Sequence, residues 1–132
     1  MKRLGGFGLE PADAKALAAF VEAMPAPRAP TSDRAAVARG ARLFHSSELG
    51  CSDCHSGRAL TDRGRHDVDT DMAEVDTPSL VGLAGSAPYY HDGSAATLEA
   101  LLLENGSVHA MGNPGALEGD QLGDLVAYLE SL

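Results

Sequence analysis

The sequence predicts an all-α fold built around one short cysteine-histidine motif. Apolar residues recur three and four positions apart in several separate stretches, which is the spacing of one helix face. No alternation of apolar and polar residues, as a strand would show, rivals these helical patterns. The motif is Cys51-Ser52-Asp53-Cys54-His55, which follows one of the predicted helices directly.

The N-terminal stretch predicts an amphipathic helix and then a connector. The helix covers Glu10 to Met24, with Pro11 in its first turn, and its apolar face carries Leu17, Phe20, Val21 and Met24. The run from Pro25 to Pro30 ends the helix and forms a stiff linker. We therefore divide the chain into an N-terminal segment, residues 1–30, and a domain, residues 31–132.

A second helix follows this boundary and leads into the motif. It can be capped by Thr31, Ser32 or Asp33. One stripe of the helix carries Val37, Gly40, Ala41 and Phe44. Within that stripe, Gly40 permits another helix to approach closely. The polar stretch from Ser56 to Asp76 predicts an irregular loop.

Three further helices are predicted in the C-terminal half. Thr77-Pro78-Ser79-Leu80 has the pattern of a cap and a first turn, with the short helix ending near Gly82 or Gly85. Thr97 can cap the next helix. The last helix covers about Gly119 to Leu132, with apolar residues at Leu122, Leu125, Val126, Leu129 and Leu132.

The first and last helices form a weak internal repeat. Leu9 to Met24 aligns without gaps with Leu117 to Leu132. Amphipathic helices resemble one another in general, so the match has a simple alternative explanation. If the repeat is genuine, the first helix is the closing helix of a preceding domain of the same type.

Cys-x-x-Cys-His is the signature of covalent c-type haem attachment. Cys51 and Cys54 can add to the two vinyl groups of one porphyrin, and His55 then offers its imidazole to the iron. A redox dithiol would require a βαβ pattern, and a disulfide across so short a loop would stabilise little. A zinc site needs two more ligands, and the other histidines stand far apart in sequence: His45, His66, His91 and His109. We expect one covalent haem c.

The charge of the chain restricts its partners. Ten basic and 19 acidic side chains among 132 residues give a net charge of −9, which argues against nucleic acid and anionic membranes and favours a basic docking face on a redox partner. No apolar run has the length of a membrane span, and the first residues lack a signal-peptide core. Because haem is attached in this way outside the cytoplasm, we expect a periplasmic or other extracytoplasmic location, with an export signal removed by processing or excision.

Four motifs occur in a characteristic order: the haem motif, Thr77-Pro78-Ser79-Leu80, Ala87-Pro88-Tyr89-Tyr90-His91-Asp92-Gly93 and Ala96-Thr97-Leu98-Glu99. With them the chain resembles the C-terminal domain of bacterial di-haem cytochrome c peroxidases, over about Ala35 to Leu132. The resemblance implies a cytochrome c-like fold, with several helices around an electron-transferring haem that has His and Met ligands. Peroxide reacts in that family at the haem of the other domain. We assign Pro78, Tyr90 and His91 to the haem surroundings.

The sixth iron ligand is open by chemistry alone, with Met72, Met111, His66, His91 and His109 as candidates. The resemblance favours Met111, because the family draws its distal methionine from the segment after the Ala-Thr-Leu-Glu helix. His109 can reach the iron if its loop shifts, and Met72 can cover the haem edge. His91 can instead hydrogen-bond near a propionate or order its turn. His/Met ligation raises the reduction potential and leaves no position for peroxide.

Three functions are compatible with these features. The leading hypothesis is a mono-haem electron carrier, which is not an enzyme by itself. The alternative is the electron-transferring domain of a di-haem peroxidase whose catalytic haem domain is absent from this chain. The third is a haem sensor in which a small ligand displaces Met111. Arginines that can bind propionates or an acidic partner follow the motif, and an acidic run that can attract a basic partner or hold calcium comes next: Arg58, Arg63 and Arg65, then Asp67, Asp69, Asp71, Glu74 and Asp76.

Overall fold

The computed structural model describes residues 8–25, 33–105 and 111–132. This part of the chain is mostly helical, as the sequence pattern predicts. The α-helices are α1 (Pro11–Glu22), α2 (Arg34–Phe44), α3 (Cys51–Cys54), α4 (Leu98–Ala100) and α5 (Gln121–Glu130). None of the helices described is long and apolar enough to cross a membrane.

Short irregular elements connect these helices. A 3-10 turn covers Leu83–Gly85, a π-helical turn at Leu101–Asn105 continues α4, and a second 3-10 turn covers Pro114–Ala116. The loop after the motif contains a small antiparallel ladder, β1 (Arg65–His66) and β2 (Val75–Asp76), in which Arg65 lies opposite Asp76. The loop is therefore more ordered than its polar composition predicts.

The crossing of α2 and α5 is the main helix contact of the described fold. Gly40 makes it possible, because a Cβ at that position would overlap the carbonyl oxygen of Asp124 and lie 2.7 Å from the Cβ of Tyr128. One turn later, the rings of Phe44 and Tyr128 have centroids 5.3 Å apart. The predicted close approach at Gly40 is confirmed.

An ion pair fixes the rotation of the two helices about this crossing. Arg39 donates from Nε and Nη2 to the two carboxylate oxygens of Asp124, at 2.6 and 2.7 Å. Asp124 is buried, with 8% of its surface exposed. The hydrogen bond from Arg39 lowers the pKa of Asp124 below its usual range, so the pair remains ionised near neutral pH. Bidentate geometry of this kind is specific for arginine.

The hydrophobic core joins the helix crossing to the loops around the motif. Its buried members are Phe44, Leu49, Leu80, Tyr89, Ala95, Leu98, Leu125, Val126 and Leu129. Cys51 and Leu60 are partly buried and pack against this cluster. The motif therefore rests on the side of the core.

Helix α1 contributes nothing to this core. It contains no buried residue, and Leu17 and Phe20 are 52% and 67% exposed. Its bounds fall within the predicted Glu10 to Met24. Most of the predicted linker, together with Thr31 and Ser32, lies outside the described residues. Asp33 caps α2, because its carboxylate accepts a hydrogen bond from the Ala35 N–H at 2.9 Å.

The helix predicted to start at Pro78 is not found. Residues 77–80 lack helical structure, and a single 3-10 turn occurs instead at Leu83–Gly85. The carbonyl of Thr77 accepts a hydrogen bond from the Thr61 hydroxyl at 2.7 Å, and the Ser79 hydroxyl donates to the Ala59 carbonyl at 2.8 Å. These long-range bonds hold the segment extended along the loop after the motif.

The other two C-terminal helix predictions are close to the structure. Thr97 caps α4 by accepting from the Ala100 N–H at 3.1 Å. Helix α5 begins and ends two residues inside the predicted Gly119 to Leu132. Differences of this size are normal at helix ends, which fray.

Candidate haem site

The haem motif folds into a single helical turn, α3. Gly50 precedes it with φ +70°, a left-handed conformation that suits glycine. Cys51 and Cys54 stand at the two ends of the turn as half-buried free thiols. One turn therefore presents both sulfur atoms and delivers the chain directly to His55.

The imidazole of His55 is held by one of its two nitrogens. Nδ1 lies 3.1 Å from the carbonyl oxygen of Leu60. A carbonyl can only accept, so Nδ1 carries the proton and Nε2 has the lone pair that a metal requires. Within the described residues Nε2 has no hydrogen bond. An axial histidine needs its ring oriented in this way, and Leu60 supplies the acceptor.

The loop that supplies this carbonyl is tied back to α3. The N–H of Asp62 donates to the Cys54 carbonyl at 2.9 Å, and the N–H of Thr61 donates to Ser56 at 2.9 Å. Leu60 itself has φ +50°, which is uncommon for a residue with a side chain. The loop thus returns its carbonyl to the histidine five residues earlier.

The segment that begins with Met111 lies beside Cys51. The N–H of Asn113 donates to the Leu49 carbonyl at 2.9 Å. A Cβ at Gly112, where φ is +138°, would lie 2.6 Å from that same oxygen and 3.9 Å from Cys51 Sγ. The side chain of Met111 is half-buried. The structure therefore places the backbone next to Met111 against the residues that lead into the motif.

Both thiols are in surroundings that keep them protonated. Burial raises the pKa of Cys51, with a smaller contribution from the charge of Asp53. Burial also raises the pKa of Cys54, to which the charge of Asp62 adds. Reactive dithiols have lowered pKa values, so these shifts argue against redox-dithiol chemistry.

A second group of possible ligands meets at Cys54. The ligand atoms of Cys54, Asp62 and His66 lie within 4.8 Å of one another, and His66 Nε2 is 2.7 Å from Asp62 Oδ2. The pKa of Asp62 falls to about 2, mainly through the Gly64 N–H, with help from His66 and Thr77. The wide spacing of the histidines along the chain argues against a zinc site, but the fold brings these three side chains together. The sequence carries no signal for this cluster.

The remaining predicted site residues lie on the surrounding turns. Pro78 is exposed and lies between the two hydrogen-bonded residues Thr77 and Ser79. Tyr90 is half-buried with φ +77°, and its ring centroid lies 4.4 Å from that of the exposed His91.

Two ligand candidates, Met72 and His109, and the charged loop after the motif remain to be placed. Met72 is 49% exposed, whereas His109 lies outside the described residues. Arg65 is engaged by the acidic run of its own loop, with Nε 3.2 Å from Asp76 and Nη1 3.9 Å from Glu74. The charge of Arg65 is therefore paired within its own hairpin.

No protein-family model matches the chain. The γ subunit of hydrazine synthase from Kuenenia stuttgartiensis is 27% identical over 71% of this chain and 40% of its own length. The methylamine utilization protein MauG of Methylorubrum extorquens is 32% identical over 71% of this chain and 33% of its own length. The chain thus spans well under half of each relative.

The fold has a clear counterpart among solved structures. A structure of Kuenenia stuttgartiensis hydrazine synthase under xenon pressure superposes with a TM-score of 0.76, at 24% identity, over 95% of this chain and 56% of that one. At this identity the likeness concerns the fold. Together with the two relatives, it supports a protein of the cytochrome c-type class.

The residues present fit a c-type haem. Two free thiols share one turn, and the next residue has one ring nitrogen anchored and the other available. Because Gly112 has no Cβ, the segment that carries Met111 can pack closely against the Leu49 carbonyl, near Cys51. Soft sulfur and imidazole donors are the usual axial and covalent partners of this group.

Proposed function

We propose that the chain is a c-type cytochrome domain that transfers single electrons through one covalently attached haem. The observation that carries the proposal is the position of His55. It follows directly after a turn that bears two free thiols, and its Nδ1 is held by the Leu60 carbonyl. That hydrogen bond sets the tautomer and orients Nε2 as a ligand. The two cysteines are the covalent attachment points.

Met111 is our proposed sixth ligand. Its segment is drawn toward the motif by the Asn113 to Leu49 hydrogen bond and by the close contact at Gly112. When bound, the haem supplies a one-electron Fe(III)/Fe(II) couple, whose potential a thioether ligand raises. The protein supplies the axial donors, and its core covers the motif on one side.

The group of possible metal ligands at Cys54 gives a competing use of the same sulfur atom. Thiolate, carboxylate and imidazole together suit a zinc ion, and Cys54, Asp62 and His66 converge. A thioether bond at Cys54 would remove the thiolate, so the two uses exclude each other. Only three donors converge here among the described residues, one fewer than a structural zinc site requires, and this favours haem.

The attachment is tested by expressing the chain with a haem c maturation system. We expect mass spectrometry of the denatured protein to show one haem retained, and the optical spectrum to show a low-spin c-type haem. Cys51→Ser and Cys54→Ser should each lose one thioether bond, whereas Ser52→Ala, on the same turn, should retain both. A wild-type protein without covalent haem, or with bound zinc instead, would refute the proposal.

The sixth ligand is tested by a matched pair of methionine variants. Met111→Ala should abolish the sulfur-to-iron charge-transfer band of the oxidised protein and lower its potential, because a softer donor to Fe(II) is lost. Met72→Ala, at an exposed position, should leave both unchanged. Survival of the band in Met111→Ala would eliminate Met111. Loss of the band in Met72→Ala would assign the ligand to Met72.

The second candidate function is the electron-transferring domain of a di-haem peroxidase. The exposed apolar face of α1 and its match to α5 favour it, since such a face fits a preceding domain. We propose that the chain alone neither turns over peroxide nor binds carbon monoxide when reduced. Peroxidase activity would then require a second haem domain. Rapid carbon monoxide binding by the chain alone would instead favour a sensor.

The partner and the location follow from charge and chemistry. A net charge of −9 suits a redox partner with a basic docking face, and electron transfer to it should slow as salt is added. We propose an extracytoplasmic location, such as the periplasm, where haem of this type is attached. Protease protection of the protein in intact cells, lost when the outer membrane is opened, would support that location.

A further inference from the structure

The loop that orients His55 is hydrogen-bonded to a distant segment on both sides of Leu60. Before Leu60, the Ala59 carbonyl accepts a hydrogen bond from the Ser79 hydroxyl at 2.8 Å. After it, the Thr61 hydroxyl donates to the Thr77 carbonyl at 2.7 Å. Leu60, whose carbonyl accepts from His55, is therefore held from its two neighbours.

The loop needs such support because its backbone is strained. Leu60 has a left-handed φ of +50°, a conformation that is unfavourable for a residue with a side chain. Arg63 has φ +58° in the same loop, and its N–H donates to the Thr61 hydroxyl at 2.9 Å. If Leu60 relaxed to negative φ, the peptide planes around it would rotate and its carbonyl would turn away from His55.

We propose that Thr61 and Ser79 are positioning residues for the axial imidazole of His55. They fix the direction of the Leu60 carbonyl, and that carbonyl determines how strongly the Nδ1 proton is bound. A strong acceptor at Nδ1 makes the imidazole a more basic ligand, which stabilises the ferric state. The inference rests on the proposed function, because it requires His55 to ligate iron.

Removing either of these two side-chain hydrogen bonds should therefore raise the reduction potential of the haem. Thr61 is half-buried and Ser79 is exposed, so water replaces the Ser79 bond more easily. At a fixed ambient potential we expect Thr61→Val to increase the Fe(II)/Fe(III) ratio about threefold, which is about 28 mV at 59 mV per tenfold change. Ser79→Ala should shift the ratio less, and the double variant more than either.

The experiment is an optical redox titration of the haem-loaded chain. Ser131→Ala is the control, because Ser131 makes the same kind of bond, from its hydroxyl to the Tyr128 carbonyl at 2.6 Å, at the end of α5. Thr61→Ser and Ser79→Thr keep the hydroxyl and should keep the wild-type potential. In the reduced protein, NMR should also show faster solvent exchange of the His55 Nδ1 proton in Thr61→Val and Ser79→Ala.

Two results would overturn the positioning role while leaving the proposed function intact. One is an unchanged potential and unchanged proton exchange in Ser79→Ala and Thr61→Val. The other is an equal shift in Ser131→Ala, which would indicate a general effect of lost stability. If Thr61→Val does not fold, the exposed Ser79 position still decides. A wild-type chain without covalent haem would refute both proposals.

Discussion

The close contact of α2 with α5 predicts a severe effect of Gly40→Ala. The new methyl carbon would lie 2.6 Å from the Asp124 carbonyl carbon and 2.7 Å from Tyr128 Cβ. Ordinary carbon contacts are about 3.5–4.0 Å, so the helices must separate by about 1 Å. A gap of this size forfeits about a quarter to a half of the dispersion energy along the seam.

The expected loss of stability follows from these opposing terms. Overpacking a core costs about 1–3 kcal/mol, and sometimes more, whereas replacing glycine inside a helix returns about 0.5–1 kcal/mol. Because the contacted atoms include backbone, which cannot rotate away, we expect the upper part of that range to apply. The net effect of Gly40→Ala should be a loss of about 2 kcal/mol.

Urea denaturation followed by circular dichroism measures this difference. For a slope of about 1–3 kcal/mol per molar urea, the midpoint should fall by about 1 M. Gly123→Ala is the matched control, because Gly123 lies in α5 and a Cβ there would meet no neighbouring atom within 4 Å outside its own helix backbone. That variant should be slightly more stable than wild type. A Gly40→Ala protein as stable as Gly123→Ala would refute the account of the helix crossing.

Three further outcomes are expected. The pKa of Asp62 is lowered from 3.8 to about 2. The ionised Asp62 therefore stabilises the fold fully above about pH 4, and this contribution is lost as the pH falls toward 2. Asp62→Asn should reduce the thermal midpoint at pH 6 but not near pH 2. Arg39→Gln leaves the buried Asp124 carboxylate without its bidentate partner and should lower the thermal midpoint, whereas Arg34→Gln, at an exposed position in the same helix, should not. Gly112→Ala should weaken the sulfur-to-iron charge-transfer band, because a Cβ at φ +138° would meet the Leu49 carbonyl; an unaltered band would contradict the proposed role of this segment.

The sequence was sufficient to predict those structural features that depend on residues close together along the chain. The caps at Asp33 and Thr97 accept from N–H groups two and three residues later, and the glycine at position 40 stands in an apolar stripe that needs a partner. The motif likewise predicts the turn that holds both cysteines. Each of these features is encoded within one or two helical turns, where residue type and spacing are direct signals.

The features that sequence reasoning missed depend on backbone conformations without a compositional signal. Leu60, Arg63 and Asp69 adopt positive φ although none of them is glycine, so the path of the loop could not be predicted. That path brings His66 to Asp62 and sets Ser79 against a carbonyl 20 residues earlier. Thr77 and Pro78 match a helix start locally, but these tertiary hydrogen bonds outweigh the local preference.

The two sides of the proposed iron site are set by backbone contacts rather than by the ligands themselves. On one side, the Leu60 carbonyl orients His55. On the other, the Leu49 carbonyl accepts from Asn113 and is closely approached at Gly112, so the position of Met111 depends on a residue two places before Cys51. A substitution of Met111 alone would therefore leave this framework in place, whereas a change at Gly112 would displace the segment that carries Met111. If Met111 is the distal ligand, as we propose, its position depends on the Leu49 contact as well as on the chemistry of methionine.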